Sequence, residues 1–385
     1  ACIIAEGKYS QAELALDLLE NDSVESVSYI KTVRRFLDEP LVKNLLLDEK
    51  KLKNKNLRII SLSDYKIAKL IFAEDALTFN KIIYDMKLYT LKEQIESLEK
   101  LVSNGLYDPT ILKTAYANYF LKIKDNVNPE NFIQSESENS LDVRVSLFYL
   151  VNNTISDIDR ARVLNLLWLK AKEIDIQKAI YSITNSSINS LTPKRELSWF
   201  IYPITRALIS NQQFEEAKNW LFFINNDLKD RAILDLNFCK MLLLLYIADK
   251  DLKNSEFEIP DINFLLDLLD NSLEVKKESI FSIMITLKAL NFEVSSNLWH
   301  KYYINQSEII SSSYEINKGY LFLALDEALK KRNLAETIFI IIDLLNSSNQ
   351  KNFNSYYLYK SIYSLNNIGL RQYARDLGLE INLGI

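Results

Sequence analysis

The chain is poor in the residues that punctuate folds and in those that do acid–base or metal chemistry. Its 385 residues include 6 Gly, 6 Pro, 1 His and 2 Cys. Ordinary usage would be about 7% Gly and 5% Pro. Parallel sheets, sandwiches and phosphate-cradling loops place glycine where φ turns positive. The shortage therefore argues against an architecture with many such turns and favours helices joined by short polar connections. One His and two Cys cannot build a multi-ligand zinc site. Cys2 and Cys239 form no CxxC pair and are expected to be free thiols. No window alternates apolar and polar residues between turn signals as a half-buried strand would. The most apolar run, Met241 to Ala248, is bounded by Lys240 and Asp249. A membrane span needs about 20 such residues, so a buried helix is expected there and no span.

What is present is a folded composition: 48% apolar residues with a net charge of -5. Helical periodicity is plain from Thr90 onward. Leu91, Ile95, Leu98, Leu101 and Val102 fall on one face, with Lys92, Glu93, Glu96, Glu99 and Lys100 on the other. Thr90 with Glu93 has capping-box spacing. Asn104-Gly105 is a stop, glycine suiting the left-handed position that follows a helix. Asp108-Pro109 starts the next helix, with Asp as N-cap and Pro in the first turn. Thr192-Pro193 gives the same start signal. About eighteen to twenty helices of usual length would fill the chain.

Two polar stretches interrupt this pattern, Lys122 to Asp142 and Asp249 to Asp261. They divide the chain into helical blocks at 1–125, 140–250 and 258–385. In a stacked-helix architecture such blocks form one continuous body, because each helix pair contacts mainly its neighbours.

A short pattern recurs where one helix ends and the next begins. Gly7-Lys-Tyr9-Ser-Gln-Ala12 precedes Leu16 and Leu19. Asn211-Gln-Gln-Phe214-Glu-Glu-Ala217 precedes Leu221 and Ile224. Arg332-Asn-Leu334-Ala-Glu-Thr337 precedes Ile341 and Leu344, and Gly369-Leu-Arg-Gln-Tyr-Ala374 is a weaker echo. A polar or Gly residue ends the first helix, an aromatic or Leu packs back on it, and a small residue lets the helices approach closely. This pattern resembles the turn and second helix of tetratricopeptide repeats. The copies are irregularly spaced, Thr205 stands where that family prefers Gly, and the family's terminal Pro is absent. The resemblance implies an all-α protein: an α-solenoid, a right-handed superhelix of antiparallel helix pairs, tetratricopeptide-like but irregular. It also implies that the Gly7 copy lacks its first helix, so that a segment precedes residue 1. The Ala1-Cys2 start admits a trimmed chain, a processed exported (periplasmic) protein, or the remnant of a lipoprotein signal.

Chemistry is sparse. His300, in Trp299-His-Lys-Tyr-Tyr303, is the lone histidine and is expected to be a surface or half-buried residue without a catalytic role. No GxGxxG, GxxxxGK[ST], HExxH or GxSxG occurs. Adjacent acids at Glu215-Glu216, Asp38-Glu39 and Asp48-Glu49 diverge on a helix and cannot flank one substrate. The basic stretch Glu49 to Arg58, with Lys31, Arg34 and Arg35, contains no stacking aromatic, and the chain has 51 acids against 46 bases. A solvated connection fits it better than nucleic-acid binding.

Aromatic clusters remain. Trp199 to Pro203, Trp299 to Tyr303 and Phe353 to Tyr363 are dense in the residues that dominate protein interfaces. Tyr356, Tyr359 and Tyr363 make one stripe, which leaves Tyr357 for the surface. The expectation is a non-enzymatic scaffold that binds a peptide or partner protein, with Trp299, Tyr302, Tyr303 and Tyr357 as contact residues. No catalytic residue, cofactor, metal, nucleic acid or membrane span is expected. The alternative is a substrate-docking or accessory module of an enzyme whose catalytic part lies outside this chain.

Overall fold

The computed structural model describes residues 76–85, 87, 90–125, 127, 129–130, 132, 139–227, 235–249, 252, 259–272, 275–305, 319–346 and 355–383. Among the described residues all regular structure is helical and no strand occurs. Contacts cluster into two compact units, Ala1–Ser187 and Ile188–Ile385. That border falls inside the 140–250 block of the sequence reading and at neither polar stretch.

In the first unit the described helices are α1 (Ala76–Asp85), α2 (Leu91–Ser103), α3 (Pro109–Ile123), α4 (Leu141–Asn153), α5 (Asp157–Glu173) and α6 (Gln177–Ile183). A short helix, α7 (Asn185–Asn189), straddles the border. Each consecutive pair from α1 to α6 packs together, and α6 returns to touch α2 and α3. The expected start at Asp108-Pro109 is present: the Asp108 carboxylate accepts from the Thr110 amide at 2.8 Å. Ser140 and Ser156 cap α4 and α5 in the same way.

Helix α2 departs from its expected two-faced character. Ile95, Leu98, Leu101 and Val102 are buried as expected, but so are Glu93, Ser97 and Glu99. No residue of α2 is exposed, because α1, α3 and α6 all pack on it. The Thr90–Glu93 capping box does not form. Thr90 is extended and caps with no side-chain bond, while Glu93 turns into the interior, its Oε2 buried without a hydrogen-bond partner.

The second unit begins with a 3-10 turn, Arg195–Phe200, that leads into α8 (Ile201–Ser210). The start expected at Thr192-Pro193 is thus displaced to Lys194, which stands at the N-cap. Then follow α9 (Phe214–Asp227), α10 (Leu236–Ala248), α11 (Ile262–Asp270), α12 (Lys277–Ala289), α13 (Ser296–Asn305), α14 (Gly319–Lys330), α15 (Leu334–Asn346), α16 (Ser355–Asn367) and α17 (Arg371–Asn382). The apolar run is α10, buried from Met241 to Ala248, and Cys239 is a buried free cysteine. No described helix is long and apolar enough to cross a membrane.

Neighbouring helices pair in this unit too: α8 with α9, α14 with α15, and α16 with α17. The last pair also packs on earlier elements, α16 on α12 and α17 on both α10 and α12. A nearest-neighbour stack has no such return, so this part departs from the solenoid expectation. Gly378 permits the crossing. A Cβ there would lie 2.6 Å from Thr286 Cγ2 and 3.2 Å from Ile247 Cγ2. Arg375 secures it, donating to the carbonyls of Tyr246 at 3.2 Å and Ile247 at 2.8 Å. Asn382 donates to Thr286 Oγ1 at 3.0 Å.

Glycine scarcity has not removed left-handed turns. Gly105 and Gly369 occupy such positions with φ of 71° and 93°, but Asp175, Gln212, Asn291 and Arg332 do the same with φ between 53° and 68°. After each, an amide reaches back to the final turn of the preceding helix: Leu106 to Leu101, Ile176 to Ala171, Gln213 to Leu208, Phe292 to Leu287, Asn333 to Ala328, Leu370 to Leu365. This bond is the mark of a Schellman turn. The small residues of the recurring pattern behave as expected, Ala217, Thr337 and Ala374 being fully buried. The packing-back residues do not behave alike: Phe214 is half-buried and Leu334 is exposed. The Gly7 copy lies outside the described residues.

Candidate functional site

Two places combine chemistry with unusual burial, one in each unit. In the first unit, Arg144 of α4 is 2% exposed and Glu99 of α2 is 1% exposed, and they form a two-pronged ion pair. Arg144 Nε donates to Glu99 Oε1 at 2.9 Å and Nη2 to Oε2 at 2.7 Å. The Tyr116 hydroxyl of α3 donates to the same Oε1. Nη1 is taken up by Asn139, through its carbonyl at 3.2 Å and its Oδ1 at 3.0 Å. Burial, reinforced by the Glu99 carboxylate, holds the Tyr116 phenol far above its usual range.

Glu96 lies one turn before Glu99, its carboxylate 4.0 Å from Arg144. Burial, then Glu99, pushes its pKa above that of an ordinary glutamate. On the outer side Tyr119 donates to Asp142 at 2.7 Å, and Lys92 stands 3.7 Å from that carboxylate. Every strong donor of this cluster is engaged by a neighbour, so its chemistry is to lock α2, α3 and α4 together. The helical pattern alone puts Glu93 and Glu99 on the polar face of α2. The missed clue was Arg144 itself, set in the apolar stretch Leu141-Asp-Val-Arg-Val-Ser-Leu.

Candidate nucleophiles and metal ligands are unpromising where they are described. Burial, with Asp235 adding to it, pushes the Cys239 thiol up to about 11. His300 is exposed, as expected. Glu215 and Glu216 are exposed, Glu215 pairing with Lys218 at 2.6 Å. Among the described residues no group of His, Cys, Asp and Glu is placed to hold a metal ion. Asp38-Glu39, Asp48-Glu49, the basic stretch Glu49 to Arg58, and Cys2 lie outside the described residues.

The four expected contact residues divide. Trp299 is half-buried with its ring edge-on to Phe281 at 6.1 Å. The side chains of Tyr302 and Tyr303 lie outside the described residues. Tyr357 is half-buried against Phe322, with ring centres 5.3 Å apart. Tyr356, expected inward, is the more open of the pair at 49% exposed, and it too leans on Phe322, at 4.8 Å. The reason is that serine, not tyrosine, marks the inner face of α16. Ser361 and Ser364 are fully buried beside Leu358, Ile362 and Leu365. Tyr357 sits one turn before Ser361 and so edges inward. Tyr359 and Tyr363 do share a stripe, stacked at 5.6 Å.

The second place was not foreseen. Helix α15 is apolar nearly all round. Thr337, Ile341 and Leu344 face inward and are buried, yet Phe339 is 72% and Ile342 48% exposed on the opposite side. On α14, packed against it, Leu323 is 71% exposed and Tyr320 is exposed as well. A soluble helix ordinarily turns a polar face outward, and one that is apolar all round is ordinarily covered. Leu334-Ala-Glu-Thr-Ile-Phe-Ile-Ile-Ile carried this signal in the sequence as a run too apolar for one buried stripe.

No protein family, curated protein or solved structure matches this chain. Its functional reading therefore rests on these surfaces alone.

Proposed function

We propose that this chain is a protein-binding helical module that engages a partner through the exposed apolar face of α14 and α15, with Tyr356 and Tyr357 of α16 at its margin. The observation that carries this is the outward stripe Phe339–Ile342 on a helix whose inner face is already buried. Large exposed apolar patches on folded proteins mark interaction sites. Two further observations support a binding role: the buried acid, base and phenol of the first unit are committed to one another, and burial pushes the Cys239 thiol up. Hairpins such as α8–α9 and α14–α15 support a tetratricopeptide-like relationship at the level of the turn and second helix. Trp299, Tyr302 and Tyr303 stay in the proposal as a second aromatic contact group.

The test is affinity capture from the native source with wild-type chain, Phe339→Asp, Tyr357→Ala and Tyr303→Ala, followed by direct binding of each captured protein after purification. Loss of one partner by Phe339→Asp, with helicity unchanged, is the expected result. Equal capture by all four proteins would dismiss these surfaces.

A further inference from the structure

The exposed face of α15 has an electrostatic edge. On a helical wheel Ala335, Phe339 and Ile342 form the centre of the outward stripe. Glu336 and Asp343, two turns apart, run along one side of it, and both are exposed. Ile338 and Leu345 occupy the other side and are half-buried. No basic residue occurs anywhere in α15. Glu336 is held in place by Asn333, whose amide donates to its Oε2 at 2.9 Å while Asn333 Oδ1 accepts from the Glu336 amide at 3.3 Å. The Asn333 side chain thus caps the first turn of α15 and holds the Glu336 carboxylate at the head of the stripe.

Three occupants can be weighed on this charge pattern. An anionic membrane surface would take the apolar stripe but repel both carboxylates. A second copy pairing antiparallel through α15 would set the two acidic edges side by side, and a parallel pairing would press each acidic edge onto the apolar edge Ile338–Leu345. The first sets like charge beside like charge and the second sets carboxylates against apolar side chains, so both are disfavoured. A partner helix with an apolar stripe and Lys or Arg along one edge satisfies both features at once. We infer that the occupant of the α14–α15 face is a basic amphipathic helix, whose apolar residues cover Phe339, Ile342 and Leu323 and whose cations meet Glu336 and Asp343. This rests on reading that face as a docking surface. It is the helix-on-face mode of recognition, in which anchors repeat at one-turn intervals.

The experiment uses the full chain and two synthetic helical peptides of about 18 residues. They share one leucine stripe and carry Lys or Glu at the same flanking positions. Binding is read by fluorescence anisotropy at low and physiological salt, with circular dichroism as the fold control. The Lys peptide is expected to bind about two- to thirtyfold more tightly than the Glu peptide, the range two rim ion pairs give. Added salt should narrow the gap. The double variant Glu336→Lys, Asp343→Lys should reverse the preference, and Phe339→Ser should weaken both peptides. Equal, salt-independent binding of the two peptides that Phe339→Ser abolishes would overturn the charge inference and leave the docking face standing. If neither peptide binds, the inference fails, and the docking face is judged by the capture experiment alone. Concentration-dependent dimerisation of wild-type chain, lost in Phe339→Ser, would also overturn it, in favour of a second copy.

Discussion

Helices α2 and α15 invert the usual arrangement in opposite directions. α2 keeps carboxylates inside its unit, while α15 keeps phenylalanine and isoleucine outside. The buried Glu99 charge of α2 is answered within the fold, since Arg144 and Tyr116 converge on it from two other helices. The apolar outer face of α15 is not answered that way, because Phe339 and Ile342 remain open beside the paired helix α14. A misplaced polar group that finds a partner becomes part of the scaffold. A misplaced apolar group that finds none becomes a surface for something else.

The contrast can be broken first at Arg144. Arg144→Ala strands a buried carboxylate and should cost about 3–5 kcal/mol, read by urea denaturation. Replacing both partners, Arg144→Met with Glu99→Leu, should recover most of that loss. If the single variant costs under about 1 kcal/mol, the pair does not organise the first unit. Tyr116→Phe removes one bond to a charged acceptor and should cost about 1.5–3 kcal/mol.

On the other side of the comparison, Arg332 delivers α15 from a left-handed turn with φ of 53°. Arg332→Gly relieves that strain and should stabilise the chain by about 0.5–1 kcal/mol in thermal melts. Glu96 offers a pH readout. Its folded pKa is raised, so the folded state holds its proton more tightly than the unfolded one. Its contribution to stability is therefore greatest in acid and falls as pH rises from the ordinary glutamate value through the folded one. Glu96→Gln should flatten that decline in a series of melting temperatures. Phe339→Ser should change stability least, within about 0.5 kcal/mol, because it alters an exposed position. A loss of several kcal/mol there would mean that Phe339 belongs to the core.

Much of the fold was legible from local patterns. The stop at Asn104-Gly105, the cap at Asp108, the burial of α10, and the small residues Ala217, Thr337 and Ala374 follow from rules that act within a turn or two of helix. What escaped acts over longer distances. Glu99 and Arg144 are 45 residues apart, and nothing near either one names the other. A charged face on α2 reads as solvated until α1, α3 and α6 are known to surround it. Glycine scarcity pointed correctly to helices, but its premise that left-handed turns would be few did not hold, for a different reason. The back-reaching bond of a Schellman turn stabilises the left-handed residue, and here Asp, Gln, Asn and Arg accept that conformation. Tyr357 was misjudged because buried serines, not the ring-bearing residues, set the inner face of α16.

The contact of α17 with α10 has a consequence for how the protein comes into being. Translation completes α10 at residue 248, and the helix that roofs it begins only at residue 371. Throughout that interval Ile247 and the carbonyls that Arg375 will bind lack their final cover. The second unit therefore cannot close in step with the ribosome as a row of independent hairpins could. Its final packing waits for residues 371–382, whose side chains complete the cover over α10.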